Sequence, residues 1–192
     1  MAGPTARDRL LEAARIRFAA SGTLTPTLEE IRQQAGVSVG ALYHHFPDKA
    51  ALAAAVYARV MADYQAGFLM MLRRQATAEG GIRGGVEHHL RWVAAHRGEA
   101  ELLLGDRLDS PELRKSNTEF FGAVRDWWRP HQSYGALRPL QTPITAALWF
   151  GPAQEFSRHW LAGHAAKLPR GAITTFADAA WATLRGKPEE DP

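Results

Sequence analysis

The stretch from residue 27 to residue 49 reads TLEEIRQQAGVSVGALYHHFPDK, and its pattern predicts two short helices joined by a glycine turn. Thr27 can cap the first helix, because Glu30 stands three residues later and completes a capping box. Gly36 can adopt the left-handed conformation that ends this helix. Ser38 can then cap the second helix. The stretch therefore predicts a helix-turn-helix.

The second of these helices has two chemically different faces. The residues expected to point inward are Leu42 and Phe46, and those expected to point outward are Val39, Gly40, Ala41, Tyr43 and His44. Small residues in the first turn let a recognition helix approach base edges, and aromatic or imidazole groups can contact phosphates or thymine methyls. The pattern favours a helix that enters the major groove of DNA. The alternative is an αα-hairpin whose aromatic residues only pack.

Lys49 follows at the start of a third predicted helix. Its ammonium group and the N-terminus of that helix can both attract a phosphate.

The composition is that of an ordinary globular protein, with 192 residues, 46% hydrophobic and 22% charged, and a net charge of +3. So small a positive charge is weak evidence for nucleic-acid binding. The absence of cysteine excludes disulfides, thiolate zinc sites and cysteine nucleophiles. The N-terminus lacks a secretory pattern, and no apolar run is long enough to span a membrane. We therefore expect a cytoplasmic protein without a membrane partner.

Hydrophobic residues recur at helical spacing almost throughout, so we expect an all-α fold. The Gly80-Gly81 and Gly84-Gly85 pairs are interpreted as a joint or a ragged helix start. Residues 130–143 are predicted as the one substantial loop. The chain is divided into a helix-turn-helix domain over 1–50 and a larger helical domain over 51–192. Helices are predicted over 5–21, from 48 into the low seventies, and over 86–97, 99–107, 111–129, 142–165 and 171–185.

The N-terminal sequence resembles the DNA-binding domain of the TetR family of bacterial transcriptional regulators. The resemblance covers about residues 7–57 and lies in Leu-Leu-Glu-Ala-Ala at 10–14, Phe18, Gly22, Thr27, Ile31, Ala35-Gly36-Val37-Ser38, Gly40, Leu42-Tyr43, His45-Phe46, Lys49 and Leu52. It implies an N-terminal three-helix DNA-binding domain followed by a helical domain for effector binding and dimerisation.

The resemblance also implies roles for individual residues. It implies phosphate contacts from Thr27, Tyr43, His45 and Lys49. It implies base or groove-wall contacts from Val39, Ala41 and His44, with Ser38 and Gly40 setting the entry of the recognition helix. Arg32 departs from the family pattern, in which a small apolar residue is usual, and either adds a phosphate contact or is inert.

For the C-terminal domain, the resemblance implies a homodimer formed by the last two long helices. Their apolar stripes are Trp149, Ala153, Phe156 and Trp160 on the first, and Phe176, Ala180 and Leu184 on the second. Either stripe is equally compatible with intramolecular core. The Gly151-Pro152 step predicts a kink in the first of these helices.

Five aromatic residues are candidates for the lining of an effector pocket: Trp92, Phe120, Phe121, Trp127 and Trp128. Aromatic linings suit apolar or flat ligands, whereas the alternative for each residue is ordinary core packing.

Eight histidines invite a metal-site interpretation, but none forms a His-Glu-x-x-His motif or an i, i+4 pair. No nucleophile elbow, P-loop or dinucleotide fingerprint occurs. We predict no metal, no cofactor and no catalytic residue.

The sequence as a whole predicts a ligand-responsive transcriptional regulator, a repressor, that binds a palindromic double-stranded DNA operator as a homodimer. A small apolar or aromatic effector would release it. The alternatives are a helical enzyme acting on a small apolar substrate, and a protein-interaction module that has lost DNA binding.

Overall fold

Nine helices account for the regular structure of residues 3–186, the part of the chain that this computed structural model describes. They confirm the all-α fold. In chain order they are α1 (Ala6–Ser21), α2 (Leu28–Ala35), α3 (Val39–His45), α4 (Lys49–Leu72), α5 (Ala78–Ala95), α6 (Arg97–Leu104), α7 (Pro111–Ser133), α8 (Thr142–Ala162) and α9 (Ala172–Leu184).

The chain divides into two compact units. The first comprises the chain up to Asp63 together with His96–Ser116, and the second comprises Tyr64–Ala95 together with the chain from Asn117 onward. The division into functional domains at residue 50 stays a prediction.

The core of the N-terminal unit is built by α1 to α4. Leu10 and Phe18 of α1, Ile31 of α2, Leu42 of α3 and Leu52 of α4 are almost completely buried. These residues include the inward positions that helical spacing predicted for the helix-turn-helix.

Helix α6 also packs against α1, a contact that the sequence did not indicate. A Cβ atom on Gly98 would collide with the carbonyl oxygen of Ala19, so the two helices meet backbone to backbone. The Arg15 guanidinium of α1 binds Glu99 at 2.5 Å and Asp63 at 2.7 Å.

The local signals of the helix-turn-helix are confirmed. The Thr27 hydroxyl accepts from the backbone N–H of Glu30 at 3.2 Å, and the Glu30 carboxylate accepts from the backbone N–H of Thr27 at 2.7 Å. Gly36 has a φ of +62°, which favours glycine, and ends α2. Ser38 caps α3 by accepting from the backbone N–H of Ala41 at 3.2 Å.

Arg32 ties the end of α2 to the turn that follows. Its guanidinium makes two hydrogen bonds to Glu29, at 2.8 and 2.6 Å, and a third, at 2.7 Å, to the backbone carbonyl of Val37. A planar guanidinium suits this fixed, forked geometry. The hydrogen bonds from Arg32, with a further one from Gln33, lower the pKa of Glu29 to about 2. Arg32 therefore braces the turn at the protein surface.

The expectation of a joint at the glycine pairs was wrong, because α5 begins at Ala78 and continues through all four glycines. A Cβ on Gly81 would collide with the Trp127 ring, and one on Gly85 would lie 2.8 Å from the Trp149 ring. Because Gly81 and Gly85 have no side chains, the two tryptophan rings can pack directly on the α5 backbone. The indole N–H of Trp149 donates to the carbonyl oxygen of Ile82 at 2.9 Å and fixes one of these rings.

Two prolines lie inside helices rather than at their ends. Pro130 lies within α7, which ends at Ser133, so the loop predicted from residue 130 begins later. Helix α8 continues through Gly151 and Pro152. Proline lacks the N–H that the carbonyl of Leu148 would otherwise receive, yet the helix is not interrupted there.

Alanine substitution at Gly81 or Gly85 is expected to lower the free energy of unfolding by about 1–3 kcal/mol, because the added methyl group overpacks against an indole ring. Urea denaturation measures this change. Gly122→Ala in α7 is the matched control. Its Cβ would meet only Arg125, at 4.0 Å, so it should be neutral or stabilise the protein by up to about 1 kcal/mol. Equal effects at all three positions would contradict the packing argument.

Replacing Arg32 by Met should raise the pKa of Glu29 from about 2 towards its ordinary value of 4.5, because the main hydrogen-bond donor to the carboxylate is lost. Carbon-detected NMR titration of the Glu29 side chain measures this pKa. Since the folded-state pKa lies below the unfolded value, the stabilisation from ionised Glu29 is present above pH 4.5 and is lost as the pH falls towards 2. The matched control is Arg91→Met, which removes a surface ion pair with Glu87 and should leave the pKa of Glu29 unchanged.

Candidate nucleic-acid interface

The outward face of α3 is open to solvent. Val39 and Tyr43 are each 54% exposed. His44 is also exposed, whereas Ala41 and His45 are half-buried. Leu42 and Phe46 are buried and fix this face outward. Val39, Gly40, Tyr43 and His44 therefore lie together on the exposed side of α3, with Ala41 and His45 half-buried beside them.

Gly40 lies at the second position of α3 with no atom within 4 Å of where its Cβ would be. Its φ is not in the left-handed region, so the backbone conformation does not require glycine either. Alanine is the better helix former. Neither packing nor backbone geometry inside the protein explains why this residue is glycine. Because Gly40 has no side chain, the surface of α3 beside Tyr43 and His44 has open space.

Two of the predicted phosphate-binding groups already have partners. The Thr27 hydroxyl donates to the Glu30 carboxylate at 2.8 Å, and the Lys49 ammonium donates to the carbonyl oxygen of Thr25 at 3.2 Å. A phosphate contact by either group would replace one of these exposed bonds. The Ser38 oxygen is used as the cap of α3.

The start of α4 is organised as a capped helix N-terminus. The Asp48 carboxylate accepts from the backbone N–H of Ala51 at 2.7 Å, and Lys49 is the first residue of the helix. Lys49 therefore combines a positive charge with the partial positive charge of the helix end. The Arg7 guanidinium of α1 lies 5.6 Å from the centre of the Phe46 ring.

The predicted effector-pocket residues are only partly brought together. Phe120, Phe121 and Trp128 line a cavity of about 270 Å³ between α7 and α8. Trp92 instead packs edge-on against Tyr64, and Trp127 packs on α5 and against His131. These two tryptophans do not line the cavity.

The predicted dimer-interface stripes lie largely inside the chain's own core. Trp149, Ala153, Ala180 and Leu184 are buried there, and Trp160 is also buried. Phe156 and Phe176 are half-buried and contact each other, with ring centres 4.9 Å apart. Their role in a dimer interface stays a prediction.

The sequence missed the polar residues of the cavity. Arg125, Arg129 and Gln132 on α7 and Thr145 on α8 lie among its aromatic residues. The only signal was their spacing, which places Arg125 and Arg129 one helical turn from each other and on the same face as Phe121.

A buried polar cluster in the C-terminal unit was also missed. His89 lies 3.2 Å from the Tyr64 hydroxyl and 3.3 Å from the Ser157 hydroxyl, with one ring nitrogen towards each. Burial, with a smaller effect of His88, lowers the pKa of His89 to about 4, so the ring is neutral at physiological pH. Within residues 3–186, no group of three or more histidine or carboxylate side chains could hold a metal ion.

No helix in the described part of the chain is both long and apolar enough to cross a membrane.

Comparison with known proteins supports the helix-turn-helix assignment and the all-α fold. Residues 10–56 match the family model of bacterial regulatory proteins, tetR family. No curated protein matches the chain. Several crystal structures share the fold, all at low identity. A TetR family transcription regulator from Marinobacter aquaeolei VT8 has a TM-score of 0.75 at 19% identity, covering 95% of this chain and 96% of that one.

Two structures of the fatty acid degradation regulator FadR are also similar. The protein from Bacillus halodurans has a TM-score of 0.76 at 16% identity, covering 97% of this chain and all of that one. FadR from Bacillus subtilis, solved in complex with stearoyl-CoA, has a TM-score of 0.66 at 17% identity, covering 91% and 95% of the two chains. All three similar structures are described as regulators. The chain thus has the DNA-binding domain of the TetR family at its N-terminus and the fold of TetR-family transcription regulators.

Proposed function

We propose that the protein is a repressor that binds a palindromic operator as a homodimer and leaves it when a small molecule binds the C-terminal unit. The observation that carries the proposal is the empty space beside Gly40 on the exposed face of α3. Clearance that the protein itself does not use is what a helix needs to approach base edges closely.

Contacts to DNA are divided between backbone and bases. Thr27, Tyr43, His45 and Lys49 bind phosphate oxygens, and Ser38 and Gly40 set how deeply α3 enters the groove. Val39, Ala41 and His44 face the bases. Since Val39 and Ala41 have no hydrogen-bonding groups, sequence preference depends on methyl contacts, on His44 and on DNA shape.

A dimer is proposed because one helix-turn-helix buries too little DNA surface for specific binding. The outer faces of α8 and α9 support it, with small or apolar side chains at helical spacing. On α8 these are Ile144, Ala147 and Gly151, and on α9 they are Thr175, Ala179 and Ala182. Nothing lies within 4 Å of the missing Cβ of Gly151, so a second helix can approach closely there.

The effector site is proposed to be the cavity between α7 and α8, which is lined mainly by aromatic and aliphatic side chains. The stearoyl-CoA complex of Bacillus subtilis FadR supports a partly apolar ligand for this fold. The two recognition helices must lie roughly 34–36 Å apart to enter successive major grooves. A ligand that favours another spacing therefore lowers the affinity for the operator.

The contact assignment is tested on a duplex selected by the wild-type protein from random DNA. Tyr43→Ala should weaken binding at least about tenfold, because a hydrogen bond to a charged group is lost. Lys49→Ala should make the negative slope of log K against log salt concentration shallower by about 1, because one phosphate contact is lost. Fluorescence anisotropy measures both.

Matched controls come from exposed residues outside the helix-turn-helix. Tyr134→Ala, at a tyrosine that is 87% exposed, and Lys115→Ala, at an exposed lysine of α7, should leave affinity and salt slope unchanged. Equal losses in controls and test variants would contradict the assignment. Sedimentation of the complex should give an even number of chains per duplex, and one chain per duplex would contradict the dimer.

Gly40→Ala separates folding from DNA binding. The methyl group meets nothing in the free protein and improves helix propensity, so the N-terminal unit should be as stable as the wild type or more stable by up to about 0.5–1 kcal/mol. The same methyl group should weaken DNA binding, because it holds α3 away from the groove. Urea denaturation and anisotropy measure the two effects. Unchanged DNA affinity would contradict the role that the proposal gives to the clearance beside Gly40.

A further inference from the structure

The cavity between α7 and α8 has an uneven distribution of charge. Its inner wall is formed by aromatic side chains, of which Phe120, Trp128 and Trp149 are buried. Within the described part of the chain, the charged residues that line it are Arg125 and Arg129, and no carboxylate lines it. An apolar pocket with charge of a single sign selects ligands of the opposite charge.

The aromatic rings of the apolar wall pack against one another. The ring centres of Trp128 and Trp149 lie 5.6 Å apart with an angle of 51° between their planes. The Trp149 ring is fixed by its hydrogen bond to Ile82 and stacks on Phe150 at 4.8 Å. Fixed ring faces of this kind favour a flat, apolar ligand body.

The polar side of the cavity has groups available to a ligand. Thr145 is 9% exposed and lies on the cavity lining. Its hydroxyl can donate to, or accept from, a polar atom of a ligand. Thr142, the first residue of α8, lies on the same lining.

The two arginines lie one turn apart on α7. Arg129 donates to Asp126 at 2.6 Å, but Asp126 lies outside the cavity lining and both side chains of this pair are about 70% exposed. No ion pair joins Arg125 to a carboxylate within residues 3–186. Two guanidinium groups on one face present the planar donors that bind carboxylate, sulfonate or phosphate oxygens.

We propose that this cavity takes an amphipathic anion, with a flat apolar body against Trp128 and Trp149 and an acidic group at Arg125 and Arg129. The inference rests on the proposed function only in treating the cavity as the effector site. It narrows the effector from any apolar or aromatic molecule to one with a negative charge, and it excludes amphipathic cations.

Two fluorescent probes that differ in one group provide the test. 1-Anilinonaphthalene-8-sulfonate is an aromatic anion, and N-phenyl-1-naphthylamine is the same aromatic body without the sulfonate. Titrated into the full chain, the sulfonate should bind at one site per chain and more tightly than the neutral probe. In the double variant Arg125→Gln/Arg129→Gln, its affinity should fall at least about tenfold while that of the neutral probe stays the same.

Two further variants locate the binding. Arg158→Gln removes an exposed arginine of α8 whose pair with Glu155 resembles that of Arg129 with Asp126, and it should change neither affinity. Ala146→Phe fills the cavity and should abolish binding of both probes. Circular dichroism checks that each variant keeps its helices.

The outcomes separate the two claims. Suppose that neither probe binds Ala146→Phe, but that the arginine variant does not selectively lose binding of the sulfonate. This result would overturn the assignment of an anionic ligand and would leave the cavity as a binding site. Undiminished binding in Ala146→Phe would overturn the cavity itself. Sulfonate binding that depends on the arginines but never changes DNA affinity would support this inference and contradict the effector role in the proposed function.

Discussion

The orientation of α3 depends on the turn that precedes it. A helix of seven residues is too short to be stable alone, so its direction must come from its attachments. Gly36 reverses the chain in a conformation that other residues rarely adopt, and the Arg32 guanidinium holds the carbonyl of Val37. Burial of Leu42 and Phe46 then fixes the rotation of α3 about its axis. Every exposed group on α3 is positioned by these few contacts.

Signals that act over a few residues could be interpreted from the sequence. The capping box at Thr27 and Glu30, the left-handed Gly36 and the cap at Ser38 each depend on neighbours within four positions, and each is confirmed. Arg32 was ambiguous because the acceptor on Val37 is set by the geometry of the turn, which residue types alone do not give. The candidate DNA-binding face was therefore predictable, whereas the brace behind it was not.

Features set by distant residues were predicted poorly. The glycines of α5 suggest a helix break by propensity, but here they allow the rings of Trp127 and Trp149, over 40 residues later, to lie on the helix backbone. The sequence of an apolar stripe on α8 does not reveal whether the same chain or a second chain covers it. Trp149 is buried within its own chain. The arginines of the cavity carried no signal beyond their spacing, because the cavity exists only once α7 and α8 have packed.

The backbone contact between Gly98 and Ala19 has a consequence for how the chain is made. The N-terminal compact unit is not a continuous piece of sequence, because α6 arrives only after the whole of α5 has been synthesised. Its first three helices can form early, but the face of α1 that receives α6 stays uncovered until residues 97–104 have left the ribosome. Such a long sequence separation slows the completion of a fold. A fragment ending at Asp63 would keep the helix-turn-helix and lack the surface that completes it.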